Sequence, residues 1–345
     1  MQCRPTWAAF FVCHLALYGQ SVYHLRMGAE SGTDVKPSDQ FELQEKFLRI
    51  WQMVQPNGFV KDLENHVVSY FARSPLLIVT FDNRKSTSQD GDRLPWGMSF
   101  AKSMNASHLG VMTKRRNDWF RNSDLFDFFD SLRDIEFFKR FHKVIFYGSS
   151  MGGFGALTFA AACPNSHIVV MCPQTTLSKD CVPWETRYEK GYARGDWTDP
   201  RYLDGVEGAR LARRVDVFAD PYFKPDWGHV QRLTSANVNL MRLPFQKHGV
   251  PNILIQIPGF TEFLRALMLG TFDDDPVGEF RTFYRARHDV QNWVRQTVQF
   301  AIDAGRPYLA KSLIEAAQVD HPDWTFPRLD TAIEENFQTG LLLEI

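Results

Sequence analysis

The chain is poor in the features that commit a sequence to a specialised class. It has five cysteines (Cys3, Cys13, Cys163, Cys172 and Cys181), an odd number with no CxxC spacing. That pattern argues against a disulfide framework or a zinc site and fits reduced thiols in a cytoplasmic protein. No excess of charge is present: 39 Lys and Arg face 40 Asp and Glu, for a net charge of −1. Neither nucleic-acid binding nor a polybasic membrane contact is expected from that balance. Long apolar runs are also missing. Trp7 to Gly19 is apolar but too short to span a bilayer, is interrupted by His14, and is followed by no small-residue cleavage signal. A buried or loosely docked N-terminal helix is the expected reading, with a poor signal peptide or a start at Met27 as the alternatives.

What is present is material for a large core. Of 345 residues, 44% are apolar and 14% aromatic, which excludes a disordered chain. Residues 28–40 are small and polar and read as a linker. Pro75 to Asn83 (PLLIVTFDN) is a continuous apolar run closed by turn residues, as in a parallel strand buried on both faces. His108–Met112, Lys143–Gly148, His167–Pro173, Val215–Asp220 and Val238–Leu243 read as further strands. Between them, apolar residues at helical spacing predict a helix from Ser123 to Phe141, capped by Ser123 or Asp124.

Strands alternating with helices predict an α/β fold, a mostly parallel sheet with helices on both faces. The polar, aromatic-rich stretch of about 175–213 is too long for an ordinary connection and is expected to be a cap with helices of its own. The expected organisation is an N-terminal extension (1–40), the α/β domain (41–285) and a helical extension (286–345). The last part reads as one tetratricopeptide-like helical hairpin, or as two ordinary packing helices, and is the expected surface for a protein partner.

One motif carries chemistry. In VIFYGSSMGGFGAL (Val144 to Leu157), a strand, the pentapeptide Gly148-Ser149-Ser150-Met151-Gly152 and a helix follow in order. This is the pattern that exposes a nucleophilic serine on a strained turn. Only Ser150 is centred between glycines, so Ser150 and not Ser149 is the candidate nucleophile. A phosphate-binding loop is a poorer fit, since the P-loop lysine is missing.

A serine hydroxyl needs a base, and the base an orienting acid. Both are expected downstream, each just past a strand. Asp220 follows VDVFA and is the first choice for the acid; Asp226 stays open as the alternative. His248, after VNLMRLP, is the candidate base, ahead of His229, His288 and His321. The backbone N–H of Met151 and that of Asn83, in the turn after PLLIVTF, are the candidate oxyanion donors. Trp184, Arg187 and Tyr188 in the cap are candidate substrate contacts. No spacing of histidines suggests a metal site, and the chemistry needs no cofactor.

Together, TFDN, LPWG, YGSSMGGFGAL and CPQTTLS, with the ADPYFKPD and KHG turns, resemble the α/β-hydrolase superfamily over about residues 60–270. More narrowly, they resemble a group of bacterial α/β-hydrolase-like proteins of poorly defined activity. The resemblance implies an α/β-hydrolase fold and a Ser-His-Asp enzyme acting on an ester or acyl group. A small-molecule or saccharide acyl ester is the expected substrate. Hydrolysis leads, with acyl transfer and a non-catalytic interaction role as alternatives. The chain departs from the pattern at the oxyanion turn, which lacks the His-Gly of many lipases.

Overall fold

The computed structural model describes residues 58–88, 93–286 and 291–342. The N-terminal apolar segment and the linker lie outside these residues.

Eight strands form one sheet: β1 (Gly58–Asp62), β2 (His66–Phe71), β3 (Leu76–Phe81), β4 (Ser107–Thr113), β5 (Lys143–Ser149), β6 (His167–Met171), β7 (Arg214–Ala219) and β8 (Val238–Arg242). Their spatial order is β1-β2-β4-β3-β5-β6-β7-β8. The six strands from β3 to β8 run parallel, and β1 and β2 are antiparallel additions at one edge. Sequence periodicity did not signal β1 and β2. β1 is half-buried, and both strands are short.

The continuous apolar runs have a direct cause. Successive strand residues face opposite sides of the sheet. In β3, Leu77, Val79 and Phe81 join one core, while Leu76 and Ile78 join the other. β5 divides the same way, with Val144 and Phe146 on one side and Ile145 and Tyr147 on the other. A strand covered on both faces has no polar side to show.

The first core is closed by helices α2 (Ser123–Asp134), α3 (Met151–Phe159) and α5 (Gly205–Leu211); α1 (Met98–Ser103) packs on the other face. The short α4 (Glu189–Tyr192) lies between α3 and α5 in sequence. Helix α6 (Lys224–Val230) follows β7, and α7 (Val250–Leu254), α8 (Phe260–Leu269) and α9 (Pro276–Arg285) follow β8. Helix α2 ends at Asp134, earlier than its periodicity suggests. Glu136 takes a left-handed φ of 55°, and a 3-10 turn over Phe137–Arg140 carries the remaining apolar residues.

The 175–213 insertion is less helical than expected. α4 has four residues, and α5 packs against α3 as an ordinary crossover helix between β6 and β7. The rest is turn, tied down by a buried arginine. Arg121 donates to the carbonyls of Asp196 (2.8 Å), Asp199 (2.6 Å) and Arg201 (2.5 Å). Three carbonyls on one guanidinium make this segment a pinned cap.

The C-terminal part has three helices, α10 (Gln291–Asp303), α11 (Pro307–Asp320) and α12 (Pro327–Leu342), one more than the expected hairpin. They enclose a small core of their own around Val298, Ala310 and Ile333. Phe300 of α10 stacks on Phe245, ring centroids 4.0 Å apart, in the loop that leads to His248.

Candidate active site

The turn after β5 is shaped by sterics. A Cβ on Gly148 would lie 2.1 Å from the carbonyl oxygen of Gly152, and one on Gly152 would lie 2.6 Å from that of Phe81. Only glycine lets the strand, the turn and α3 approach this closely. Between them Ser150 is held at φ 53° and ψ −123°, a strained conformation for a residue with a side chain. Ser149 is buried in the sheet, and its Oγ accepts from Asn83 Nδ2 at 3.3 Å. The two serines therefore have separate surroundings.

Ser150 Oγ is 2.9 Å from His248 Nε2, and His248 Nδ1 is 2.7 Å from Asp226 Oδ2. Asp226 is fully buried, whereas the His248 side chain is 35% exposed. A carboxylate bonded to Nδ1 selects the tautomer with its proton there, leaving Nε2 to accept the serine proton.

The acid is thus placed differently from the first choice made on sequence. Asp220 does not meet His248. Its Oδ1 accepts from the Tyr222 N–H at 2.9 Å and its Oδ2 from the Lys247 N–H at 2.6 Å. Burial raises its pKa, and these backbone donors work against that rise. Asp220 fastens the loop that carries the histidine, while Asp226, in the first turn of α6, reaches the ring. A turn residue directly after a strand is well placed to bond backbone; a carboxylate six residues later, on a helix, can project.

Asp226 has partners of its own. Its Oδ1 accepts from Arg187 Nη1 at 2.8 Å and from Gln174 Nε2 at 3.5 Å. Arg187 also donates Nε and Nη2 to Glu185, at 3.0 and 2.5 Å. All three guanidinium nitrogens are engaged with carboxylates, so Arg187 supports the acid rather than offering itself to a substrate. His229 Nε2 lies 3.1 Å from Glu185 Oε2, and its Nδ1 accepts from the Thr175 N–H at 3.2 Å. Burial alone would raise the Glu185 carboxyl, but hydrogen bonds from His229 and Arg187 outweigh it and bring the pKa down to about 2.

Tyr188 is the cap residue next to Arg187. Burial raises its pKa to about 12, so its hydroxyl keeps its proton at neutral pH. The ring packs 4.8 Å from Trp119, and the Arg187 guanidinium lies 5.0 Å from its centroid. A cavity of about 270 Å³ is lined by Tyr188, Trp119, Arg84, Arg187 and Lys190. Trp184 is set apart, 47% exposed, with its ring 6.1 Å from that of His229.

Of the two expected oxyanion donors, Met151 is the first residue of α3, its N–H at the helix N-terminus. The Asn83 N–H is already committed to Ser86 Oγ at 3.0 Å, and its side-chain oxygen accepts from the N–H groups of Lys85 and Ser86. Asn83 builds the turn and does not present the predicted donor.

Sequence reasoning passed over Glu185 and Gln174. Gln174 is buried, with Oε1 3.5 Å from Ser150 Oγ and Nε2 3.3 Å from the Cys172 carbonyl. The only signal was the CPQTT stretch, which says nothing of contacts 50 residues away. Cys172, Asp226 and His248 bring ligand-type atoms within 4.8 Å of one another. A metal ion there would have to displace the carboxylate–imidazole hydrogen bond. Burial, then Asp226, raises the Cys172 thiol well above its ordinary pKa, which disfavours a thiolate ligand.

A family model described as "Alpha/beta hydrolase family" matches residues 62–332. Similar solved structures include a capsule O-acetyltransferase of Neisseria meningitidis serogroup A, 13% identical, covering 63% of this chain and 98% of that one, TM-score 0.43. Carboxyl esterase 2 of Tuber melanosporum is 13% identical over 67% of this chain and 88% of that one, TM-score 0.41. Est1E of Butyrivibrio proteoclasticus is 9% identical over 63% and 99%, TM-score 0.41. None of the curated proteins compared with the chain matches it. Among the described residues, no helix is long and apolar enough to cross a membrane.

Proposed function

The chain belongs to the alpha/beta hydrolase family, and from that membership we propose that it is a serine hydrolase that cleaves carboxylic esters through an acyl-enzyme on Ser150. The reading rests on one observation: the continuous chain from Ser150 Oγ to His248 (2.9 Å) to Asp226 (2.7 Å).

Ser150 Oγ attacks the ester carbonyl carbon while His248 Nε2 takes its proton. Asp226 stabilises the imidazolium through Nδ1–H. The tetrahedral intermediate collapses, the C–O bond to the alcohol breaks, and His248 returns the proton to the leaving oxygen. Water, activated by the same histidine, then releases the acid and restores the serine. The oxyanion is met by the Met151 N–H and by the Tyr188 hydroxyl, which replaces the expected Asn83 N–H. The 270 Å³ cavity at Tyr188 is the seat of the substrate, and its mixed lining of Arg84, Asn117, Glu189 and Lys190 suits a saccharide.

A fluorophosphonate probe tests the reading. It should label the wild type and leave Ser150→Ala unlabelled, both folded by circular dichroism. Absence of labelling in folded wild type would sink the proposal. Adding a competing alcohol to an ester assay separates hydrolysis from acyl transfer by the product formed.

A further inference from the structure

A second cavity, of about 470 Å³, opens at the other end of the sheet. Lys143 begins β5 and Arg214 begins β7, whereas Ser150 follows the far end of β5. A strand of this length separates them by about 20 Å. Five cations (Arg133, Lys139, Lys143, Arg213 and Arg214) line it together with Glu136 and Asp273. Arg133 is held by Asp130 (2.8 Å) and Asp134 (3.1 Å).

The carboxylates nearby are already used. Lys139 pairs with Glu136 at 2.6 Å, Asp273 takes both Arg213 (3.5 Å) and Arg214, and Arg214 Nε bonds Asp216 at 3.0 Å. Lys143 has no ion pair within 4 Å among the described residues. Burial lowers its pKa; Asp273 opposes this, and Arg213 and Arg214 add to it. Among the described residues, two buried polar atoms of the lining, Arg214 Nη2 and Ser166 Oγ, have no hydrogen-bond partner. Buried donors left unsatisfied are uncommon and costly.

We propose that this cavity is an anion-binding site for a phosphate-bearing small molecule, its phosphoryl oxygens bridging Lys143, Arg213 and Arg214. Phosphate fits better than a lone carboxylate. Its several oxygens suit arginine forks with a lysine point charge between them. The site is independent of the reaction at Ser150.

Titration calorimetry of the full chain with inorganic pyrophosphate, in ~0.15 M salt where weak surface attraction is largely screened, tests this. Acetate serves as the monovalent control. The expected result is saturable pyrophosphate binding, tenfold or more weaker in Lys143→Gln and in Arg213→Gln, with fluorophosphonate labelling of Ser150 as in wild type. Arg213 is 69% exposed, so its variant keeps the test decisive should Lys143→Gln fail to fold. No saturable heat, acetate binding as tight as pyrophosphate, or Arg213→Gln binding like wild type would each overturn the proposal.

Discussion

Arg187 Nη1 lies 2.8 Å from Asp226 Oδ1, so a residue of the cap grips the carboxylate that orients His248. The same guanidinium holds the buried Glu185. Removing it leaves two buried carboxylates without their cation, a change that typically costs about 3–5 kcal/mol. Arg187→Met should therefore unfold at much lower denaturant and lose ester hydrolysis. Arg187→Lys, which keeps the charge but not the fork, should recover part of the stability. Wild-type denaturation by Arg187→Met would show that the grip contributes nothing.

Asp226 and Asp220 sit six residues apart and are expected to respond differently. Asp226→Asn keeps the shape but offers His248 the wrong partner, so kcat should fall by about 10³–10⁴ with little change in KM. Asp220→Asn weakens the anchoring of the histidine loop through Tyr222 and Lys247, and should lower stability more than it lowers kcat. Kinetics and denaturation of both variants, side by side, decide the assignment; equal losses of kcat would undo it.

Much of this arrangement was legible in the sequence because it depends on local pattern. The buried parallel strands announce themselves as apolar runs, and the glycine pair singles out Ser150. What stayed hidden depends on long-range approach. Arg187 was singled out as a substrate contact, but its bond to the acid comes from a segment with no regular spacing. Nothing local distinguishes an aspartate that bonds backbone, such as Asp220, from one that reaches a histidine 22 residues away. β1 was missed for another reason: its half-exposed residues mix polar and apolar without clear alternation.

Tyr188→Phe removes one hydroxyl and leaves the ring against Trp119 and Arg187. If the phenol donates to the oxyanion, kcat should drop by roughly 10–10³ and KM should barely move. A raised KM at constant kcat would instead make Tyr188 a substrate-binding residue only.

Glu185 gives the fold a pH signature. Its pKa of about 2 lies below the ordinary 4.5, so its stabilisation is complete above pH 4.5 and is lost as the pH falls toward 2. The contribution at neutral pH is roughly 3 kcal/mol. Glu185→Gln should be less stable than wild type at pH 6, and the gap should close on acidification. Chemical denaturation at several pH values between 6 and 3 checks this; a gap that does not narrow rules out the ionised form as its source.

Gly148 tests whether the turn is built by sterics. Its added Cβ would meet the Gly152 carbonyl oxygen at 2.1 Å, a backbone atom that no side-chain rotation can move away. Either the turn opens or α3 shifts, and both displace Ser150 from His248. Gly148→Ala should lose about 2–4 kcal/mol of stability, in the range of severe strain and overpacking, and most of its fluorophosphonate labelling. Gly249, next to the histidine, is the control: its added Cβ would meet nothing closer than the Gln296 side chain at 3.8 Å, so Gly249→Ala should stay within about 1 kcal/mol of wild type. Equal effects at the two glycines would mean that close approach at the turn is not what selects Gly148.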